Sequence, residues 1–287
     1  MPNIKRSAPV LIILAVLNLF IWQQIVFKAP AGALELYFFD VGQGDSGLII
    51  LPGNVKILVD GGPSNKVIGQ LEEVMSPSDR YIDLVMLSHP QLDHFSGLID
   101  VLKRYEIGAF IFNGQAGSTL AFNDLEKIIE ENKIKTLVLS GGDKISHQDS
   151  EIEFLFPNKE FLSGKDLNDT SLTFILRSQE AKAFFGGDIG FKAEKYLMKN
   201  FDINVDILKV SHHGSKYSSS EEFLEHASPL VSVIDVGKNS YGHPTNETLS
   251  RLAKIGSLIF RTDKDNLVKL TVKDGALNIF KNKIYNQ

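Results

Sequence analysis

Residues 34–60 read Leu-Glu-Leu-Tyr-Phe-Phe-Asp-Val-Gly-Gln-Gly-Asp-Ser-Gly-Leu-Ile-Ile-Leu-Pro-Gly-Asn-Val-Lys-Ile-Leu-Val-Asp, and the run after Gly47 decides the fold. Gly42, Gly44 and Gly47 spell the G-x-G-x-x-G pattern of dinucleotide-binding folds, which needs a helix directly after the last glycine to face a pyrophosphate. Here the apolar run Leu48-Ile49-Ile50-Leu51 ends at Pro52-Gly53-Asn54, so the segment is a strand and a turn. Three short strands joined by hairpins result. Two reversals bring the end of the third strand back beside the end of the first, so residues 40–45 and Asp60 are expected on one rim. Asp40, Gln43 and Asp45 on that rim are read as substrate-contacting residues.

Outward from this meander, strands and amphipathic segments alternate. Residues 65–75 are amphipathic, 82–87 form a strand, a helix follows Asp93, and 109–112 form another strand. Helices are expected near 121–131, 191–199, 220–225 and 246–255, with strands near 172–176, 183–185, 205–210, 230–236 and 258–261. Residues 268–280 suggest a closing hairpin. Antiparallel runs mixed with helices predict an α/β architecture of two sheets sandwiched between helices. No repeat, low-complexity tract or long linker divides residues 34–287, which read as one domain behind a distinct segment, 1–33.

The whole chain has 287 residues, 43% hydrophobic and 23% charged, which is ordinary globular composition and excludes a disordered or multi-span protein. With no cysteine, thiol nucleophiles, disulfide scaffolds and iron–sulfur clusters are excluded, and any metal must be held by nitrogen and oxygen. The net charge of −5 is uneven. Lys5, Arg6 and Lys28 are the only charges in the first 28 residues, leaving 27 basic against 35 acidic side chains in the rest. A body at −8 repels polyanions at long range, which argues against a protein that coats DNA non-specifically.

Residues 8–27 are apolar apart from Asn18, Gln23 and Gln24, and match the roughly 20 residues needed to cross a bilayer as a helix. Lys5 and Arg6 before the segment, against Lys28 after it, predict a single-pass anchor in the cell membrane with the body outside the cytoplasm. Cleavage as a signal peptide after the small residues at 29–33, giving a secreted protein, is the alternative.

Five of the seven histidines lie in polar clusters directly after apolar strands, where α/β scaffolds present their chemistry. His147 and His226 lie outside these clusters and read as surface residues. The first cluster is Ser88-His89-Pro90-Gln91-Leu92-Asp93-His94, whose imidazole and carboxylate donors suit zinc, manganese or iron. Asp93 could equally cap the helix start. The second, Phe184-Phe185-Gly186-Gly187-Asp188, ends in a carboxylate able to bridge two ions, though Gly-Gly-Asp is also an ordinary turn. In the third, Leu208-Lys209-Val210-Ser211-His212-His213-Gly214-Ser215, adjacent histidines on a strand point opposite ways, so one ligates and its neighbour contacts substrate or orients a ligand. The fourth is Tyr241-Gly242-His243-Pro244.

Asp60, His89-x-x-x-Asp93-His94, Asp188 and His212-His213 resemble the ordered motifs of the metallo-β-lactamase superfamily. More narrowly, the runs 39–45, 88–94, 208–215, 242–244 and 261–263 look like the extracytoplasmic hydrolase domain of ComEC competence proteins. The resemblance implies a four-layer αββα sandwich over residues 34–287, one or two divalent ions (manganese or zinc, with magnesium possible), and cleavage of a DNA phosphodiester. It implies one site of Asp93, His94, Asp188 and His213, or His212 in its place. A second site would keep His89 and Asp188. Two expected histidines are replaced, by Gln91 and by Asn168, whose amide oxygens would be weak ligands. Asp93 and Asp60 are read as catalytic or orienting, His243 and His212 as transition-state or leaving-group residues, and Asn168 and Ser215 as substrate-contacting. The expected activity is phosphodiester hydrolysis. Hydrolysis of a carboxylic ester, lactone or amide, and a degenerate docking domain, are the alternatives. A full competence protein carries a many-helix channel, so DNA transport would need a separate channel protein as partner.

Overall fold

The computed structural model describes residues 9, 12–19, 32–164 and 166–281. Residues 9 and 12–19 are helical, and the rest of the expected span 8–27 lies outside the described residues. No described helix is long and apolar enough to cross a membrane.

In chain order the strands are β1 (Leu34–Phe38), β2 (Gly47–Leu51), β3 (Val55–Val59), β4 (Tyr81–Met86), β5 (Glu106–Phe112), β6 (Thr136–Val138), β7 (Lys144–His147), β8 (Ser150–Phe156), β9 (Thr173–Ser178), β10 (Ala181–Phe185), β11 (Ile207–Lys209), β12 (Val231–Ile234), β13 (Leu258–Arg261), β14 (Val268–Lys273) and β15 (Ala276–Lys281). They form an eight-stranded sheet in the order β15-β14-β1-β2-β3-β4-β5-β6 and a seven-stranded sheet in the order β13-β12-β11-β10-β9-β8-β7. In the first sheet pairing is antiparallel from β15 to β3 and parallel from β3 to β6. The second repeats this plan, antiparallel from β7 to β10 and parallel from β10 to β13.

Strand side chains alternate between two cores, as the two-residue period requires. Leu34, Leu36 and Phe38 of β1 face the core between the sheets, where they meet Phe154, Phe174 and Phe185 of the second sheet. Tyr37 and Phe39 face outward onto Phe95, Leu98 and Leu71, which belong to the helices Leu92–Arg104 and Lys66–Val74. On the opposite side, Ile175 and Phe184 face Leu197, Phe223 and Leu252 of the helices Phe191–Asn200, Glu221–Ala227 and Asn246–Lys254. Three apolar interfaces separate four layers, and the central strands of both sheets are buried on both faces. This is the expected αββα sandwich.

Differences from the sequence reading are local. Strands β6, β7 and β8 were not anticipated. β6 and β7 are short, with half or more of their side chains in solvent, so their apolar pattern is weak. His147 ends β7 half-buried rather than on the open surface. The expected strand 205–210 is only Ile207–Lys209, and the His pair follows it in a 3-10 turn where His212 and His213 both have positive φ, 53° and 52°. The two rings therefore diverge because of this turn, not because of strand alternation.

Candidate metal centre

The ends of β1, β3 and β4 in one sheet face those of β10, β11 and β12 in the other, and every strand-end cluster except Tyr241-Gly242-His243-Pro244 begins there directly. Asp60 follows β3 with φ 58°. Its carboxylate accepts from the Ser88 backbone N–H (2.8 Å) and the Ser88 hydroxyl (2.7 Å), and lies 2.9 Å from His94 Nδ1. This grip turns His94 Nε2 toward Asp188, whose Oδ2 is 3.4 Å away. His89 Nδ1 is 3.0 Å from the Ser88 hydroxyl and 3.3 Å from that of Ser171. His213 Nδ1 is 2.9 Å from the Asp235 carbonyl and 3.1 Å from Asp45 Oδ1, so its Nε2 faces Asp93 (3.4 Å) and Asp188 (3.7 Å).

Four buried atoms meet here without a hydrogen-bond partner: Nε2 of His89, His94 and His213, and Oδ1 of Asp188. Buried polar atoms are rarely left so, because each forfeits its hydration. Donor atoms of His89, His94 and Asp188, and those of Asp93, His94 and His213, fall within 4.8 Å of one another. Imidazole nitrogen with carboxylate oxygen, and no sulfur, fits zinc, manganese or iron. The residues present therefore fit a divalent ion.

Electrostatics agree. Burial, helped by the neighbouring His94 charge, pushes His89 down to about 3, leaving a neutral ring ready to ligate. Burial also opposes a charge on His94 and His213, but nearby carboxylates outweigh it. Asp188 and Asp60 raise His94 well above its ordinary value, and Asp188 and Asp45 raise His213 to about 10. Asp188 is held well below the usual carboxylate range, because the charges of His94 and His213 overcome its burial. Protons on these rings answer a local demand for positive charge that a divalent cation also satisfies.

The other expected residues separate into three groups. Gln43, Gln91, His212 and His243 line, with Asp93, Asp188 and His213, an open cleft of about 580 Å³ above the cluster. His212 Nε2 is 3.9 Å from Asp188 Oδ2, whereas His213 belongs to the candidate donor groups, which places the two rings in different positions. Asn168 lies at the edge, its side-chain oxygen accepting from Gln91 Nε2, so the two amides are joined by a hydrogen bond. Asp45 and Ser215 are corrections, and Asp40 lies outside the residues lining the cleft. Asp40 turns its carboxylate back to its own loop, accepting from the Gly42 N–H at 3.3 Å. Asp45 and Ser215 are each only 2% exposed and cannot meet a substrate. Ser215 instead braces its loop, accepting from the Tyr217 N–H.

Lys209 and Asp235 were missed. Lys209 Nζ contacts Asp45 Oδ2 in the interior, and both line, with Asp60, Ser88 and Asp235, a chamber of about 20 Å³ under the histidines. A lysine inside the apolar run Ile207-Leu208-Lys209, just before two histidines, was the signal available. Lys238 was missed as well and lines the cleft.

Residues 39–234 match the metallo-beta-lactamase superfamily. The chain belongs to this superfamily. It is 25% identical over 267 residues to ComE operon protein 3 of Bacillus subtilis, covering 86% of this chain and 34% of that one. It is also 25% identical over 262 residues to competence protein ComA of Neisseria gonorrhoeae, covering 89% and 35%. The chain thus spans about a third of the length of these relatives. The fold is shared with the metallo-beta-lactamase fold protein YhfI of Bacillus subtilis, at a TM-score of 0.55 and 12% identity, over 86% of this chain and all of that one. Superfamily membership makes this a metal-dependent hydrolase fold, related by sequence to competence proteins.

Proposed function

We propose that the protein is a membrane-anchored phosphodiesterase that acts on DNA outside the cytoplasm. The observation carrying this reading is the set of unpartnered Nε2 atoms of His89, His94 and His213 meeting Asp188 at the floor of the cleft. Asp93, His94, Asp188 and His213 would hold one ion, and His89 with Asp188 a weaker second. A bound divalent ion supplies a water acidic enough to ionise near neutral pH and charge to polarise a phosphoryl oxygen.

The remaining roles belong to the protein. Asp60, through Nδ1 of His94, and Asp45, through Nδ1 of His213, hold both rings with Nε2 toward the cleft; they are positioning residues. His243 is pushed down to about 4 by burial and by the neighbouring charges of His212 and His213. Neutral at pH 7, it is suited to donate a hydrogen bond to a phosphoryl oxygen rather than to release a proton. Lys238 adds a basic side chain on the same wall.

The likeness to competence proteins supports DNA as substrate, and the apolar run 8–27 behind Lys5 and Arg6 supports the anchor. The test uses the full chain in detergent: metal content, then turnover of bis-p-nitrophenyl phosphate, DNA and a panel of carboxylic esters with added manganese or zinc. Phosphodiester turnover that follows metal content is the expected result. Ester turnover alone would reassign the substrate class, and bound metal with no turnover of any substrate would mark a docking domain.

A further inference from the structure

The cleft wall opposite the first histidine cluster is the loop after β12, and the side chain of Asn239 builds it. Its amide donates to the carbonyls of Gly237 (2.9 Å) and His243 (2.8 Å), while its oxygen accepts from the N–H groups of Tyr241 and His243, both at 3.0 Å. The loop is also docked onto the first rim. Gly237 donates to Gln43 Oε1 at 3.3 Å, and a Cβ at Gly237 would fall 2.3 Å from the Gly42 carbonyl carbon. This fixed loop displays Tyr241 with 73% of its surface exposed, within the lining of the cleft. The Tyr241 ring centroid lies 5.8 Å from that of His243 and the planes differ by 32°. A preorganised loop that holds a large aromatic side chain in solvent beside a reaction cleft is a binding face.

Charge narrows what binds there. Among the described residues lining the cleft Lys238 is the one lysine or arginine, and the body beyond residue 28 is acidic. Counterion release therefore contributes little to capturing a polyanion, and stacking is the other general source of affinity for a nucleic-acid strand.

We propose that Tyr241 is a stacking subsite for the base next to the scissile phosphodiester, with Lys238 beside that phosphate. The inference rests on the phosphodiesterase reading above and adds a substrate class. A paired base within a duplex has both faces covered by its neighbours, so the subsite selects an unpaired strand.

The test compares two labelled 12-residue strands with the same phosphate charge, one of thymidine and one of abasic sugar, using the full chain in detergent with manganese. Wild type should show a KM about tenfold lower for the base-bearing strand, the order expected for one base stacked on an aromatic ring. In Tyr241→Ala the ratio of the two KM values should fall toward one, and in Tyr241→Trp it should persist. An unchanged ratio in Tyr241→Ala, or its loss in Tyr241→Trp, overturns the subsite. Fluorescence anisotropy of both strands in EDTA reads binding apart from hydrolysis. A base preference that depends on Tyr241 there, with neither strand cleaved in metal, keeps the subsite and overturns the phosphodiesterase reading.

Discussion

Lys209→Met should be among the most damaging single substitutions in the body. Lys209 is 5% exposed and Asp45 2%, and the chamber they share is enclosed by Phe38, Phe174 and Phe185. Removing the lysine leaves the buried Asp45 carboxylate with only the His213 and His94 rings beside it, their Nδ1 atoms at 3.1 and 3.8 Å, and deleting one partner of a buried pair costs about 3–5 kcal/mol. At about 2–4 °C per kcal/mol for a domain of this size, the melting temperature falls by roughly 6–20 °C. Scanning fluorimetry of the full chain in detergent with EDTA measures this free of metal binding. Lys209→Met with Asp45→Asn removes both charges and should recover at least half of the loss.

The pH dependence has a definite sign. Burial opposes ionisation of both groups; the charge of Lys209, with His213 and His94, carries Asp45 below its ordinary value of 3.8, and Asp45, with Asp235 and Asp188, carries Lys209 above 10.5. The contribution of Asp45 is present above pH 3.8 and is lost as pH falls through its lowered folded value. That of Lys209 is present below pH 10.5 and is lost as pH rises through its raised one. The stabilisation that the wild-type pair supplies should therefore be level from about pH 5 to 9. A melting temperature within about 2 °C of wild type, or a double variant less stable than the single one, would refute a stabilising buried pair.

Asp93→Ala and His94→Ala should each lose bound metal and hydrolysis while circular dichroism stays that of the folded chain; full activity with metal retained would remove both from the site. Gln91→His should raise zinc stoichiometry toward two in a metal titration, because it puts an imidazole at a cleft-lining position now occupied by an amide. Unchanged stoichiometry and affinity would mean that position 91 does not reach an ion. A reporter active only outside the cytoplasm, fused after Gln287, should give signal that falls when Lys5 and Arg6 are both made acidic. Chelation should weaken DNA binding more than a modest rise in salt does, and steep salt dependence in the chelated protein would contradict capture led by metal.

The sequence carried the fold for most strands buried on both faces, since continuous apolar runs such as Leu48-Ile49-Ile50-Leu51 leave little choice, but not for β8, where Glu151 and Glu153 interrupt the apolar run of a strand whose Ile152, Phe154, Leu155 and Phe156 are buried. It was silent on β6 and β7, whose outward side chains are largely polar. For the site, histidine clusters after strands announced His89, His94 and His213, because ligands must project from fixed backbone. Two things were not legible. Burial of Asp45 and Ser215 depends on how the opposing sheet closes over them, and the contact of Lys209 with Asp45 joins residues 164 positions apart. Nor does a sequence show that Gln91 and Asn168 hydrogen-bond to each other.

The pairing of β1, β14 and β15 has a mechanical consequence. Leu34 opposes Val272 at one end of these strands, while Phe38 opposes Val268, which in turn opposes Lys281, at the other. The chain therefore enters the sheet at the end far from the histidines and its last strand finishes at the end near them. A tether pulling at Leu34 against a load at Lys281 would slide these strands lengthwise past one another. Antiparallel hydrogen bonds run perpendicular to the strands, so such a force strains both ladders all along their length at once rather than unzipping them one rung at a time. Tension between Leu34 and Lys281 would thus load these strands in shear.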